Sequence, residues 1–403
     1  MTTCDQLSSK DSNSTTITVF SLNCWGIFLL SKDRVPRMQA IAAHLVEKKY
    51  DFVCLQEVWV EDDFQLIKEE TQNILPYSQY FYSGFVGSGV CIFSRWPIKE
   101  VLFHQWQLNG YFHKVMHADF FGGKGIAFIQ CVIKGIKINI YSVHLHAEYS
   151  THSDEYLCHR IIQAFDLSQF IRITSQNADL AILAGDLNSQ PSQLSYQLIL
   201  TNSNMCDASE QANESELGTF NHTRNSYRNL KYQVDQKIDH ILYKICSPHK
   251  VQFLSYAQPL SDLVSNESFS HSDHEAITAT FRLSQPSGDF SDSFVEEENK
   301  LQHEYLEEAI MICESALRKL NKDKAWYYGA VTVIFIALLL VYQTELPFTY
   351  IKFFNSLLFI SAVFIIFFGF MALFWTTMES NGIKSGYHCM KIAASRTEKK
   401  HLS

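Results

Sequence analysis

Apolar residues in this chain follow two rhythms before residue 284 and a third after residue 300. In the first, short runs rich in Val, Ile and Phe are bounded by Gly, Pro, Asn or Asp. They predict strands at 16–22, 52–55, 89–93, 126–133, 136–143, 180–184, 238–243 and 276–281. In the second, apolar positions recur every three or four residues and predict amphipathic helices at 34–48, 61–73 and 154–174. Many strands with helices between them imply a layered α/β sandwich over 16–283, with no internal repeat. Polar clusters follow some strands (Asn23, Glu57, His144, Asp186) and begin others (Asp239, His274). In a mixed sheet, starts and ends share a rim, so these clusters are expected to converge.

The third rhythm belongs to the C-terminal part. Residues 284–298 read as a linker, with Pro286, Gly288 and the acidic run Glu296-Glu297-Glu298. Leu301, Tyr305, Ala309, Ile312, Ala316 and Leu320 then recur at steps of three and four, which predicts an amphipathic helix within 284–324. A stalk packed on the α/β domain or on itself is the plain reading, and a membrane or partner surface the sharper one. Residues 325–344 and 353–378 hold no Asp, Glu, Lys or Arg. At about 20 and 26 residues, each is long enough to cross a hydrocarbon core about 30 Å thick. They predict a two-helix transmembrane hairpin over 325–378, with Trp326, Tyr328, Tyr342 and Trp375 near its ends. Lys and Arg flank the hairpin on both sides (Arg318, Lys319, Lys322, Lys324; Lys384, Lys391, Arg396), whereas the turn holds only Lys352. The positive-inside rule therefore predicts a two-pass protein with its catalytic domain and its tail, 379–403, in the cytosol. An intracellular membrane such as the endoplasmic reticulum is the expected location.

Composition changes this picture in three ways. The net charge of -9 argues against a nucleic-acid partner, because phosphate backbones are held by Lys and Arg. The 10 cysteines are scattered, with no CxxC pair, which reads as buried reduced thiols. Residues 1–15 are polar and Ser/Thr-rich, an expected disordered lead without the apolar core of a signal peptide.

The polar clusters suit attack on phosphorus. A phosphodiester needs a cation on its non-bridging oxygens, an activated water in line and help for the leaving oxygen. Hard oxygen ligands favour Mg²⁺, with Mn²⁺ a candidate substitute. Glu57 is the first metal ligand, and Asn23 adds an amide oxygen or orients a bound water. In Gly185-Asp186-Leu187-Asn188, the alternate spacing sends Asp186 and Asn188 to one face of an extended segment, where they hold a phosphoryl oxygen and polarise water. His274 is the expected general base, with Asp239 or Asp186 fixing its tautomer. His144, or His146 two residues on, donates to the phosphate or leaving group. No HExxH or Cys/His cluster suggests zinc.

Taken together, Asn23, Glu57, His144, Asp186/Asn188, Asp239 and Asp273/His274 resemble the deoxyribonuclease-I-like endonuclease/exonuclease/phosphatase superfamily. The strings Leu22-Asn23-Cys24-Trp25-Gly26, Gln56-Glu57-Val58-Trp59, Gly87-Ser88-Gly89, Leu108-Asn109-Gly110-Tyr111 and His144-Leu145-His146-Ala147-Glu148-Tyr149 are similar to neutral sphingomyelinases. That resemblance covers about 16–283 and extends to the hairpin. It implies a four-layer α/β sandwich and Mg²⁺-dependent, phospholipase-C-type cleavage of a membrane sphingolipid, sphingomyelin, to ceramide and phosphocholine. It carries over Glu57 as principal metal ligand with Asn23 its neighbour, and His274 as base. Asp186 and Asn188 orient phosphate and water, His144 stabilises phosphate or leaving group, and Asp239 and Asp273 support the histidines or the metal shell. Asp119 and Lys124, around Gly122-Gly123, resemble the family's Gly-Lys stretch and suggest a regulatory loop in which the two pair and release; a hairpin turn with a surface lysine is the plainer alternative. The partners so implied are the bilayer and its sphingolipid, with anionic phospholipid a further candidate. Competing readings are a phosphodiesterase for lyso-phospholipid, ceramide phosphoethanolamine or inositol phosphosphingolipid, and an inactive membrane scaffold.

Overall fold

The computed structural model describes residues 14–114, 117, 119–150, 153–214, 218–229, 235–284, 299–343 and 351–401. Residues 1–13 of the expected lead and 285–298 of the expected linker lie outside these, as does the turn at 344–350. Ser14 and Thr15 already belong to a strand. The chain forms two compact units, one ending at Gln302 and the other beginning at His303.

The first unit holds two six-stranded mixed sheets. One contains β1 (Ser14–Asn23), β2 (Phe52–Gln56), β3 (Tyr77–Tyr80), β4 (Cys91–Ser94), β11 (Val251–Ala257) and β12 (Ile277–Ser284), in the order β11-β12-β1-β2-β4-β3. The other contains β5 (Ile98–Gln105), β6 (Gly125–Ile133), β7 (Ile136–His144), β8 (Leu180–Asp186), β9 (Cys206–Asp207) and β10 (Asp239–Ile245), in the order β5-β6-β7-β8-β10-β9. Side chains alternate across each strand, and this assembles the layers. Ile17 and Val19 of β1 meet Ile138 and Ile140 of β7 and Ile182 of β8 in a core between the sheets. The intervening Phe20 and Leu22 instead pack on Met38, Ile41 and Leu45 of α1 (Arg34–Lys48) and Phe64 and Ile67 of α2 (Glu61–Thr71). On the far side, Tyr141, Val143, Ala181 and Leu183 pack on Leu167 and Ile171 of α3 (Leu157–Thr174) and Tyr196 and Ile199 of α4 (Leu194–Ser203). The result is helix, sheet, sheet, helix: the four-layer sandwich. α5 (Ala208–Gln211) is a short helical turn. Although expected to be amphipathic, α3 starts three residues later than the sequence suggests and buries polar residues too, including His159, Arg160, Gln163 and Ser168. Six of the nine described cysteines are buried, and all nine are free thiols.

The second unit is built from long helices. α6 (Asn299–Tyr342) runs without a break through the expected amphipathic segment into the first apolar stretch. α7 (Ile351–Phe370) continues through a π-helical turn (Met371–Trp375) into α8 (Thr376–His401). Two of these helical stretches are long and apolar enough to cross a membrane, and their apolar windows are almost wholly exposed. α8 pairs antiparallel with the first half of α6: Tyr387 donates to Glu314 at 2.9 Å, and His303 and Thr397 hydrogen-bond at 3.0 Å. The buried stripe of α6 is Leu306, Ala309/Ile310, Cys313 and Leu320: Ala309 and Leu320 are buried as expected, whereas Leu306, Ile310 and Cys313, each one residue on, are buried in place of the expected Tyr305 and Ile312. The segment 379–401 is therefore helical, with Ile383, Met390 and Ala393/Ala394 as its buried positions.

Candidate active site

Strand register brings the polar clusters to one rim. His144 ends β7 beside Asp186, which ends β8 in parallel, and Asp239 starts β10 opposite Asp186 in antiparallel register. In the other sheet, Asn23 ends β1 beside Gln56 of β2, and Ser21 lies opposite Ile277, three residues after His274. Gly185 is needed at this edge because a Cβ there would come within 2.1 Å of the Val143 carbonyl oxygen.

Asn23 ties the two sheets together at the rim. Its Nδ2 donates to Glu57 Oε1 and to Asp186 Oδ2, both at 3.0 Å, while its Oδ1 accepts from the Trp25 N–H at 3.0 Å. It is thus the amide nitrogen, rather than the oxygen, that faces the two acids. Glu57 sits at φ 56, a left-handed conformation costing a non-glycine residue about 1 kcal/mol. Strain of this kind gathers where a side chain must be aimed. Glu57 Oε2 and Asp239 Oδ1 are buried without a hydrogen-bond partner. Unpaired carboxylate oxygens in such a place are costly unless a cation satisfies them. Asp186, Asp239 and His274 also place donor atoms within 4.8 Å of one another, a spacing that can hold a metal ion. The oxygen-rich donor set fits a hard divalent cation.

Asp239 is the partner of His274: its Oδ2 accepts from His274 Nδ1 at 2.8 Å. Burial pulls the His274 pKa down, but Asp239, Asp273 and Asp186 outweigh it and hold the ring well above its ordinary value. Burial pushes the Asp186 carboxyl up, and the neighbouring Asp239 pushes it further. Burial likewise raises Asp273, to about 6. Asp186 Oδ1 accepts the Asn188 backbone N–H at 2.8 Å, and Asn188 adopts φ 44. The segment therefore turns after Asp186 instead of staying extended. The two side chains still line the same cavity, because asparagine tolerates the left-handed conformation the turn requires.

His144 lies 3.4 Å from Asp186 Oδ2 and 4.0 Å from Glu57 Oε1 through its Nε2. Lys124 Nζ approaches the same nitrogen at 3.2 Å and forms a buried ion pair with Asp119. Burial and the adjacent Lys124 hold the His144 pKa well below the ordinary range, so the ring is neutral. Burial opposes ionisation of Asp119, yet Lys124 and His146 hold its carboxyl well below the usual range. The expected regulatory pair is thus a buried ion pair at the catalytic rim. β7 ends at His144, and His146 turns away to stack on Tyr156 at 4.0 Å, 3.8 Å from Asp119. His144 lines the cavity; His146 does not.

These groups face a cavity of about 870 Å³ whose walls include Glu57, Asp119, Lys124, His144, Asp186, Asn188, Asp273 and His274. Asn23 and Asp239 stand directly behind that wall through the hydrogen bonds above. Sequence reasoning missed the residues that hold the rim. Arg37, fully buried on α1, donates to the Cys24 and Trp25 carbonyls at 2.7 Å, and its guanidinium stacks on Trp25 at 4.9 Å. Ser272 Oγ donates to the Asn23 carbonyl at 2.6 Å, and Phe220 bridges to His274. Tyr149 closes over Asp119 with its hydroxyl hydrogen-bonded to the carboxylate. An arginine between apolar helix positions 35, 38 and 41 was the one legible hint of such a role.

A two-sheet sandwich with acids and histidines gathered at one edge defines a phosphoryl-ester hydrolase of the Endonuclease/Exonuclease/phosphatase family. Its family profile matches residues 20–274, and the chain belongs to that family. Within it, the chain groups with the neutral sphingomyelinases. It is 35% identical to a putative neutral sphingomyelinase of Drosophila melanogaster, with 95% of this chain and 98% of the relative aligned. It is 37% identical to human sphingomyelin phosphodiesterase 2 over 67% of this chain and 66% of that one. Among solved structures, the sphingomyelinase C of Streptomyces griseocarneus superposes with a TM-score of 0.52 over 66% of this chain and 99% of that chain, at 19% identity. A beta toxin variant of Staphylococcus aureus, solved with bound magnesium ions, also gives 0.52, over 67% of this chain and all of that chain, at 18% identity. At these identities the structural likeness establishes the fold.

Proposed function

We propose that the protein is a membrane-anchored, Mg²⁺-dependent neutral sphingomyelinase, hydrolysing sphingomyelin to ceramide and phosphocholine. The observation that carries this reading is the buried constellation of Glu57, Asn23, Asp186, Asp239 and His274 at one sandwich edge, with carboxylate oxygens left unpartnered. A divalent cation held by Glu57 with Asp186 or Asp239 would neutralise charge on the non-bridging phosphoryl oxygens. A cation held by these acids would offset the charges that raise the His274 ring, and His274, its Nδ1 committed to Asp239, would then take a proton from water at Nε2. The water oxygen forms the new bond to phosphorus while the bond to the primary oxygen of ceramide breaks. Asn188 and Asp186 orient the phosphate and water. The leaving oxygen departs against the His144–Lys124 pair, from which a proton is returned to it, so that the alcohol and phosphocholine leave in balance. Asp273 supports the base through its charge.

The two apolar helices and the Lys/Arg pattern favour a two-pass anchor with the catalytic unit and C-terminus cytosolic, in the endoplasmic reticulum or another intracellular membrane. Asp119 and Lys124 form a regulatory pair whose release would free Lys124. A second reading is cleavage of inositol phosphosphingolipid. It is favoured by 38% identity, over 45% of this chain, to the inositol phosphosphingolipids phospholipase C of Schizosaccharomyces pombe. The test is a panel of sphingolipids and lyso-phospholipids incubated with the full chain in Mg²⁺, Mn²⁺ or EDTA, with products identified by mass spectrometry. Phosphocholine released from sphingomyelin in Mg²⁺, absent in EDTA and lost in His274→Ala, is the expected result. Release of inositol phosphate alone would select the second reading, and no product from any lipid would indicate a scaffold.

A further inference from the structure

The mouth of the catalytic cavity is bordered by apolar side chains that the fold leaves in solvent. Phe28, Leu29 and Leu30 are 60%, 87% and 75% exposed, and Phe85 is 88% exposed with Val86 beside it. Phe28, Phe85 and Val86 are themselves part of the cavity wall, so the exposed patch is continuous with the site. Ordinary surfaces scatter single apolar residues, whereas a contiguous patch at a ligand cavity marks an interaction surface.

Both loops are held outward rather than left slack. Ser31 N–H donates to the Ile27 carbonyl at 3.1 Å, and Gly26 N–H to the Glu57 carbonyl at 2.9 Å, tying the first loop to the catalytic rim. The Phe85 and Val86 N–H groups both donate to the Phe121 carbonyl, at 3.0 and 3.2 Å, and Gly84 bridges to Gly122. Leu29 is held at φ 64, where leucine is unfavourable. A leucine both strained and nearly fully exposed contributes nothing to the isolated fold.

We propose that these two loops form a lipid-docking rim: Phe28, Leu29, Leu30, Phe85 and Val86 enter the acyl boundary of the bilayer and seat the cavity mouth on the leaflet. The inference rests on the sphingolipid reading above. A protein seated on the same residues would plug the cavity between them. A bilayer instead delivers the substrate through the opening, with its headgroup towards the acids and its chains left in the membrane. Insertion to this shallow depth by Phe and Leu suits an interfacial contact rather than a span.

The test uses the full chain in vesicles of phosphatidylcholine and sphingomyelin doped with a phospholipid carrying a photoactivatable group on its acyl chain. Crosslinked peptides are read by mass spectrometry. Lipid label on the peptides holding 27–30 and 84–87 is expected. The double substitution Leu29→Asp/Leu30→Asp should abolish label on its own segment and lower sphingomyelin turnover in vesicles about tenfold or more. Hydrolysis of a water-soluble chromogenic phosphocholine ester should stay within about twofold, since neither residue lines the cavity. Aspartate accepts the left-handed backbone of position 29 more readily than leucine, so the loop keeps its shape. Absence of label from both segments would overturn the proposal. Label on both segments in a parent that cleaves no sphingolipid would keep the rim and overturn the sphingomyelinase reading.

Discussion

The two units of this chain obey opposite rules about where apolar residues go. In the sandwich they are buried between layers, and those exposed at the cavity mouth stand out. In the helical unit they are exposed along Trp326, Val333, Phe335 and Leu340, and again along Phe353, Phe359 and Ile366. The rule changes within one uninterrupted helix: α6 buries Leu306, Ile310 and Cys313 and then exposes nearly everything after Leu320. An unbroken helix whose outside turns apolar halfway along is the pattern expected of the proposed anchor, which would pass from water into lipid. The same contrast holds for polar groups. The sandwich gathers buried acids and histidines in hydrogen bonds spanning up to 163 residues of sequence, whereas the described helices make mainly local or helix-pair contacts.

If the two units divide chemistry from placement, changes in each should separate them. The largest effect is expected at the base. His274→Ala should lower turnover about 10³-fold on any substrate form, and Asp239→Asn about 10²-fold, without loss of folded circular dichroism. A drop below threefold for His274→Ala would remove it from the chemistry. Lys124→Met leaves Asp119 buried without its partner. It should lower kcat about 10²-fold and also destabilise the fold by roughly 3 kcal/mol, measured by urea unfolding in detergent. Unchanged stability would mean that the Asp119–Lys124 pair is not formed in solution.

In the other unit, deleting 325–378 should spare turnover of detergent-dispersed lipid and reduce turnover of bilayer lipid about tenfold, through loss of effective concentration. Equal activity on intact membranes would sink the division of labour. The smallest effect expected is acid sensitivity. Burial pulls both His44 and His146 down to about 4, below the ordinary 6.5. At these two positions the unfolded chain therefore binds more protons, so their contribution to stability is lost as pH falls from 6.5 towards 4. Over that window the denaturation midpoint of His44→Gln should fall less, or rise more, than that of the parent.

Legibility in the sequence follows the same physics. All eight strands expected from apolar runs are present, and the four that were missed, β3, β5, β9 and β11, are the four sheet edges. Interior strands are buried on both faces and read as continuous Val, Ile and Phe, whereas edge strands such as Ile98–Gln105 mix exposed Lys99 and Glu100 with apolar residues. α1 was legible to the residue because one side faces a core and the other water. α4 was hidden because its polar residues are buried alongside its apolar ones. At the site, the clusters were legible as strand-end punctuation, but their partners were not. That Asp239 rather than Asp186 holds His274, and that His144 rather than His146 faces the cavity, depends on where strands stop. Arg37 and Ser272 act through carbonyls of other segments, and of this the sequence shows only the charge of Arg37 among apolar helix positions.

On the proposed function, the rim acids gather to hold one divalent cation for phosphodiester hydrolysis. The most direct measurement is phosphocholine release from sphingomyelin as a function of Mg²⁺, compared between the full chain and Glu57→Gln. Expected are no release in EDTA, saturable activation of the parent, and a Mg²⁺ requirement raised at least about tenfold in the variant. Equal Mg²⁺ dependence in the two proteins, or full release in EDTA, would contradict it.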